Sequence, residues 1–230
     1  SNFTSTSNIS YQAKIRPLSN NFILIDVAEN SFTDTASNGN ITAQQFKWKY
    51  DGVSPTVDSV SLAADNSSIV VVFTEPVYST ANGTGNLEAS DFALSISGGT
   101  ATLASATPTA ITQNGNAYTL SFNLSGTPDG SEVISVAPLA NSIFDATGNQ
   151  AATSQSNGSG TLNEKIRPTI SITATNGSAQ LDNGSATNDT VITVSFNISE
   201  PTSNFIIDDI SISQGTISNF TSTSNISYQA

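Results

Sequence analysis

The chain has 230 residues, 37% of them hydrophobic, with eighteen acidic against six basic side chains and a net charge of −12. The apolar share suffices for packed cores, and the acidic balance argues against nucleic acid as a partner, because phosphate binding needs clustered Lys and Arg. Cys and His are both absent, which removes disulfides, thiolate metal sites, cysteine nucleophiles and the commonest general base.

Thirteen residues, SNFTSTSNISYQA, occupy positions 1–13 and recur letter for letter at positions 218–230. A repetition of that length reads as the period, 217 residues, of a tandem array. The seam then falls inside a structural unit, not between units. Residues 1–50 carry period-two patterns: Tyr11, Ala13 and Ile15 on one face, then Phe22 and Leu24 against Ile23, Ile25 and Val27. After a polar loop at 31–40, Phe46, Trp48 and Tyr50 alternate with Gln45, Lys47 and Lys49, the pattern of a strand with one buried face. Three strands and a loop do not make a domain.

The stretch DGVSPTV at 51–57 is a boundary, and residues 51–163 read as a complete unit of about seven short strands. Val60 and Leu62 mark the first strand and Ile69 to Phe73 the second. Phe92, Leu94 and Ile96 follow, then Tyr118 through Leu124, Val133 to Val136, and a polar strand near Ser154 to Leu162. No window carries a helical period, so the fold class is all-β. A second boundary, NEKIRPTI at 163–170, repeats the first: an acid, three residues, then Pro, Thr and a β-branched residue. The unit at 164–230 shows four or five strands, including Ile192 to Ile198 and Ile210 to Ile212. The strands it lacks are those at 14–50. Two related sandwiches therefore alternate: residues 51–163 complete, 164–230 the N-terminal half of another, and 1–50 its C-terminal half from an adjacent copy.

A seven-stranded sandwich whose first strand leaves the linker end brings Glu75, Asp91 and Asp145 back to that end, beside Asp51. The second unit gives a parallel set: Glu200, Asp208 or Asp209, Asp34 from the adjacent copy, and Glu164. Converging carboxylates repel unless a cation joins them, and an oxygen-only set without His or Cys is what Ca2+ takes. The plain alternative is that these loop acids are simply solvated. In TDTASNGN, around Asp34, an inserted residue is expected to disturb the loop.

The order of [DE]-x-x-x-P-T-[VI], [ST]-E-P, SDF or DDI, and D-x-x-G-N resembles the bacterial Ig-like, cadherin-like tandem repeats of large extracellular adhesins and surface fibres. The resemblance implies Ig-like β-sandwiches strung end to end, with Ca2+ at their junctions held by Asp51, Glu75, Asp91 and Asp145. It implies a structural repeat of an extracellular or cell-surface filament, assembled head to tail with identical copies of itself. A glycan or other surface ligand would then be bound at a distal tip outside this chain. Catalysis is set aside, because no nucleophile elbow or convincing carboxylate cleft accompanies the missing His and Cys. No apolar run approaches the ~18 residues of a membrane span. The rival reading is a carbohydrate- or matrix-binding module using Trp48 and Tyr50, although their spacing puts them on the same face as Phe46, which suits core packing.

Overall fold

A computed structural model describes residues 3–230, and in it the expected all-β fold is observed. The chain divides into two compact units, Ser1–Glu164 and Lys165–Ala230. The first unit begins with two hairpins. Strands β1 (Thr4–Ser7) and β2 (Ser10–Gln12) pair with each other, as do β3 (Phe22–Ile25) and β4 (Phe46–Lys49). Neither hairpin has a further strand at its edge among the described residues, and Tyr11, Phe22, Leu24 and Phe46 are exposed.

Residues 57–162 form two main sheets around one core, with a separate two-stranded sheet beside them. The first sheet runs in the order β5 (Val57–Leu62), β6 (Ser68–Phe73), β10 (Ala117–Ser121), β9 (Ala110–Asn114). The second runs β13 (Ser159–Thr161), β12 (Val133–Pro138), β7 (Phe92–Ser97). Alternation decides what is buried: Ile69, Val71 and Phe73 from β6 and Tyr118 and Leu120 from β10 meet Phe92, Leu94, Ile134 and Val136 from the other sheet. The expected strand over Tyr118–Leu124 divides at Phe122 and Asn123, and β11 (Leu124–Ser125) leaves β10 to pair with β8 (Thr102–Leu103). Strand β9 is mostly polar and has no apolar alternation by which to be recognised.

The second unit is one sheet, ordered β15 (Gln180–Leu181), β14 (Ile170–Thr175), β16 (Thr193–Ile198), β18 (Ser227–Gln229), β17 (Thr221–Ser224). It reproduces part of the bonding of the first sheet of residues 57–162, without the bulge that β5 carries at Val57–Ser59. Thr74 donates its backbone N–H to Thr56 O at 2.9 Å, and Ser199 donates to Thr169 O at 2.9 Å. Tyr118 lies opposite Val71 and donates its hydroxyl to Val77 O at 3.4 Å, while Tyr228 lies opposite Phe196 and donates to Thr202 O at 3.2 Å. The recurring segment thus supplies the counterpart of β10.

Residues 210–212, expected as a strand, are not one. Their counterpart β7 is held by pairing with β12, and the element that matches β12 in sequence is β3, which lies in the other unit. A strand without a ladder partner has nothing to satisfy its backbone groups in register. The consequence is an uneven core. Among the described residues of 165–230, Phe196 and Tyr228 are the buried hydrophobic side chains, whereas Ile170, Ile172 and Ile212 remain exposed.

Candidate functional sites

Three acids are brought together by the complete domain. Asp51 follows β4 in the linker. Glu75 follows β6, which returns antiparallel to β5 and so ends beside the linker. Asp145 lies after β12 in a loop pinned to the segment beyond Glu75, where Tyr78 donates its N–H to Phe144 O at 2.7 Å. The side-chain amide of Asn149 donates to Asp51 O at 3.2 Å and to the Asp145 carboxylate at 2.8 Å, tying linker to loop. One carboxylate oxygen from each of Asp51, Glu75 and Asp145 lies within 4.8 Å of the other two.

The electrostatics of the cluster are unequal. Asp145 is buried, which by itself pushes its pKa up, but hydrogen bonds from Asn149 and Thr147 outweigh burial and hold the carboxyl below its usual range. The backbone N–H groups of Thr147 and Asn149 both donate to it at 2.8 Å. Glu75 is pushed the other way, first by burial and then by the charges of Asp145 and Asp51, with Lys49 partly offsetting them. The site has excess negative charge and an oxygen-only donor set, the chemistry that suits a hard cation such as Ca2+.

Asp91 does not join this group. Its carboxylate accepts the Glu88 backbone N–H at 2.7 Å and so closes the short 3-10 turn before β7, while its carbonyl accepts from Leu139. Asp209 closes the matching turn by accepting from Ile206 N–H at 2.9 Å. Asp209, not Asp208, is therefore the counterpart of Asp91, and Asp208 is exposed.

Glu164, Asp34, Glu200, Asp208 and Asp209 form no second triad among the described residues; Asp34 and Glu164 belong to one unit, and Glu200, Asp208 and Asp209 to the other. The loop around Asp34 is nevertheless undisturbed. Asp34 accepts N–H groups from Ala36 at 2.9 Å and Asn38 at 2.8 Å, with the Asn38 amide at 3.0 Å, matching the bonds of Asp145 to Thr147 and Asn149. Thr33 bridges Gly39 as Phe144 bridges Gln150. No residue is inserted: Ser37, with φ 67°, takes the left-handed position of Gly148, with φ 93°. Aligning the two glycines, Gly39 with Gly148, misplaces the register by two.

Glu132 is a functional-looking residue that sequence reasoning missed. It is fully buried, and its carboxylate accepts the backbone N–H groups of Thr100, Ala101, Asp129 and Gly130 at 3.0 to 3.3 Å. The bond from Ala101 leads the causes that lower its pKa to about 2, against the opposing effect of burial. It is a staple for two loops and faces no cleft. Parity was the available signal, since Glu132 shares the inward row of Ile134 and Val136.

Residues 164–230 match the family model of the bacterial Ig-like domain. That match shows the resemblance to bacterial Ig-like repeats, a structural module and not an enzyme type. No curated protein and no solved structure matches the chain. The Ig-like stretch coincides with the second unit apart from Glu164. Among the described residues no helix is long and apolar enough to cross a membrane. The aromatic row offered for sugar stacking falls on β4, where Trp48 pairs with Ile23 and is half-buried. The corresponding positions of the complete domain, Gly158, Gly160 and Leu162, lie on its inward row.

Proposed function

We propose that this chain is a structural repeat of an extracellular or cell-surface filament or adhesin stalk, in which Ig-like domains follow one another and function through length and stiffness. The observation that carries this reading is the position of the repeated thirteen residues. In the Ig-like unit they supply β17 and β18, with Tyr228 taking the place that Tyr118 takes in the complete domain. Repetition of a segment that builds strands of a folded sheet suits a tandem array of such domains, and a tandem array suits a continuous rod. The test is the shape of a three-repeat tandem in solution by small-angle scattering and electron microscopy. A maximum dimension that grows in proportion to repeat number supports the rod, and a compact particle overturns it.

The cluster of Asp51, Glu75 and Asp145 supports a second element of the same reading, a Ca2+ ion at the linker end of the complete domain. Its observation is the convergence of three carboxylates from segments far apart in sequence. An ion there would fix Asp51 in the linker to Glu75 and Asp145 in the domain body, which stiffens the joint between consecutive domains.

A further inference from the structure

The Ig-like unit holds an open groove lined by Ile172, Val194, Phe196, Ile210 and Ile212, and we propose that the β3–β4 hairpin of a second copy of this chain fills it. This inference rests on the filament reading and adds to it the partner segment and the face by which it docks.

The complete domain supplies the template. There, the positions matching Val194 and Phe196 are Ile69 and Val71, both with no exposed surface, and they are covered by Ile134 and Val136 of β12. Strand β3 matches β12 along its length. Asn30 and Asn141 both adopt positive φ, at 55° and 60°; Ser31 donates to Ala28 O as Ser142 donates to Leu139 O. Strand β4 matches β13: Tyr50 donates its N–H to Asn21 O as Leu162 donates to Glu132 O. The hairpin therefore carries Ile23 and Ile25 where β12 carries Ile134 and Val136, and the free edge of β3 is the one β12 uses to bind β7. The segment matching β7 is Ile210–Ser213, which has no ladder partner among the described residues. Ala230 repeats Ala13, and the residues that follow Ala13 are the ones that contain β3 and β4.

Ile210–Ser213 is two residues shorter than β7. Anchored at Asp209, it sets Ile212 opposite Ile25; anchored at the following turn, it sets Ile210 opposite Ile25. Both registers keep Ile210 and Ile212 inward. In the template the pair Val136 and Leu94 has both N–H groups turned away, to Gly158 and Ala106. It is a narrow, non-hydrogen-bonded pair, the kind that brings Cβ atoms within disulfide reach.

The chain has no Cys, so engineered thiols report without background. Ile25→Cys chains are mixed with Ile210→Cys or with Ile212→Cys chains under mild oxidation, and Leu24→Cys, on the opposite face of β3, is the control. We expect one of the two Ile25→Cys mixtures to form the mixed disulfide at least about tenfold faster than the Leu24→Cys mixtures. No preference over Leu24→Cys overturns the docking face, and a disulfide formed only within single chains carrying both thiols overturns the second copy as occupant. A second measurement does not depend on cysteines. A chain extended at its C-terminus by a copy of residues 14–50 is expected to be monomeric where the original self-associates; equal self-association of both overturns the proposal. A tandem array that is rod-like while these tests fail leaves the filament reading standing without this interface.

Discussion

The residues Phe3–Ala13 and Phe220–Ala230 are the same letters in two settings. Both fold into a hairpin with one register and one bulge, Ser5 opposite Tyr11 and Ser222 opposite Tyr228. In both the first serine donates to the carbonyl two residues on, at 2.7 and 2.8 Å, and a Phe stacks on the Tyr, at 5.5 and 5.6 Å between centroids. Yet Tyr11 is 57% exposed and Tyr228 is 6% exposed. The hairpin is written locally; burial comes from β16, which pairs with β18 and has no equivalent beside β2 among the described residues. What differs is the neighbour.

The sharpest way to break that comparison is to truncate the three equivalent tyrosines. Tyr118 packs edge-on against Phe73 at 5.9 Å inside a closed core, and Tyr118→Ala is expected to destabilise the complete domain by about 3 to 5 kcal/mol. Tyr228 packs against Phe205 at 5.1 Å and Phe220 at 5.6 Å, but its unit has a single sheet among the described residues. Tyr228→Ala is expected to cost less, about 2 kcal/mol, and Tyr11→Ala within about 0.5 kcal/mol. Native-state hydrogen exchange of the amides of β10, β18 and β2 reads each effect at its own strand. Equal losses at Tyr11 and Tyr228 would mean that β2 already has a partner strand in solution.

Acid stability separates the two halves next. Glu132 has its folded pKa near 2, below the ordinary 4.5. Its contribution is present above about pH 4.5 and is lost as pH falls toward 2. The matching position before β3 is Asn21, which carries no charge and accepts from Phe22 N–H. Glu132→Gln is expected to flatten the acid limb of the complete domain's unfolding curve between pH 4.5 and 2 and to lower its stability at neutral pH. The Ig-like unit, followed by Tyr228 exchange, is expected to respond to neither change.

These contrasts also account for what the sequence made legible. Alternation names the strands whose one face is buried, such as Ile69 to Phe73 and Phe92 to Ile96, and the repeated tyrosine strand follows from identity alone. Strand β9 escapes because Ile111 is its one large apolar residue and leaves no alternation to recognise. Asp51, Glu75 and Asp145 could be brought together from topology, since antiparallel strands return their ends to one pole. Asp91 could not be separated from them, because one side-chain bond to Glu88 turns it into a turn closure. A left-handed φ at Ser37 is equally invisible when glycine is the residue used to find such positions. Pattern carries which face a residue takes, and side-chain bonds within a loop decide the rest.

The two aspartate loops give the last contrast, since Asp34 and Asp145 share their hydrogen bonds and Asp145 alone has Asp51 and Glu75 beside it. With a Kd of the extracellular type, ~10⁻⁴ to 10⁻³ M, roughly millimolar Ca2+ stabilises such a site by up to about 1.4 kcal/mol. Thermal melts with Ca2+ and with chelator are expected to differ by that amount for the native chain and for Asp34→Asn, and to coincide for Asp145→Asn. Glu75 supplies the sign. Its folded pKa is raised, so without a cation its charge opposes folding, and stability falls as pH rises through that pKa. Glu75→Gln is therefore expected to stabilise the domain slightly in chelator and to destabilise it in Ca2+. A variant that stabilises under both conditions would mean that the three carboxylates only repel one another and bind no ion.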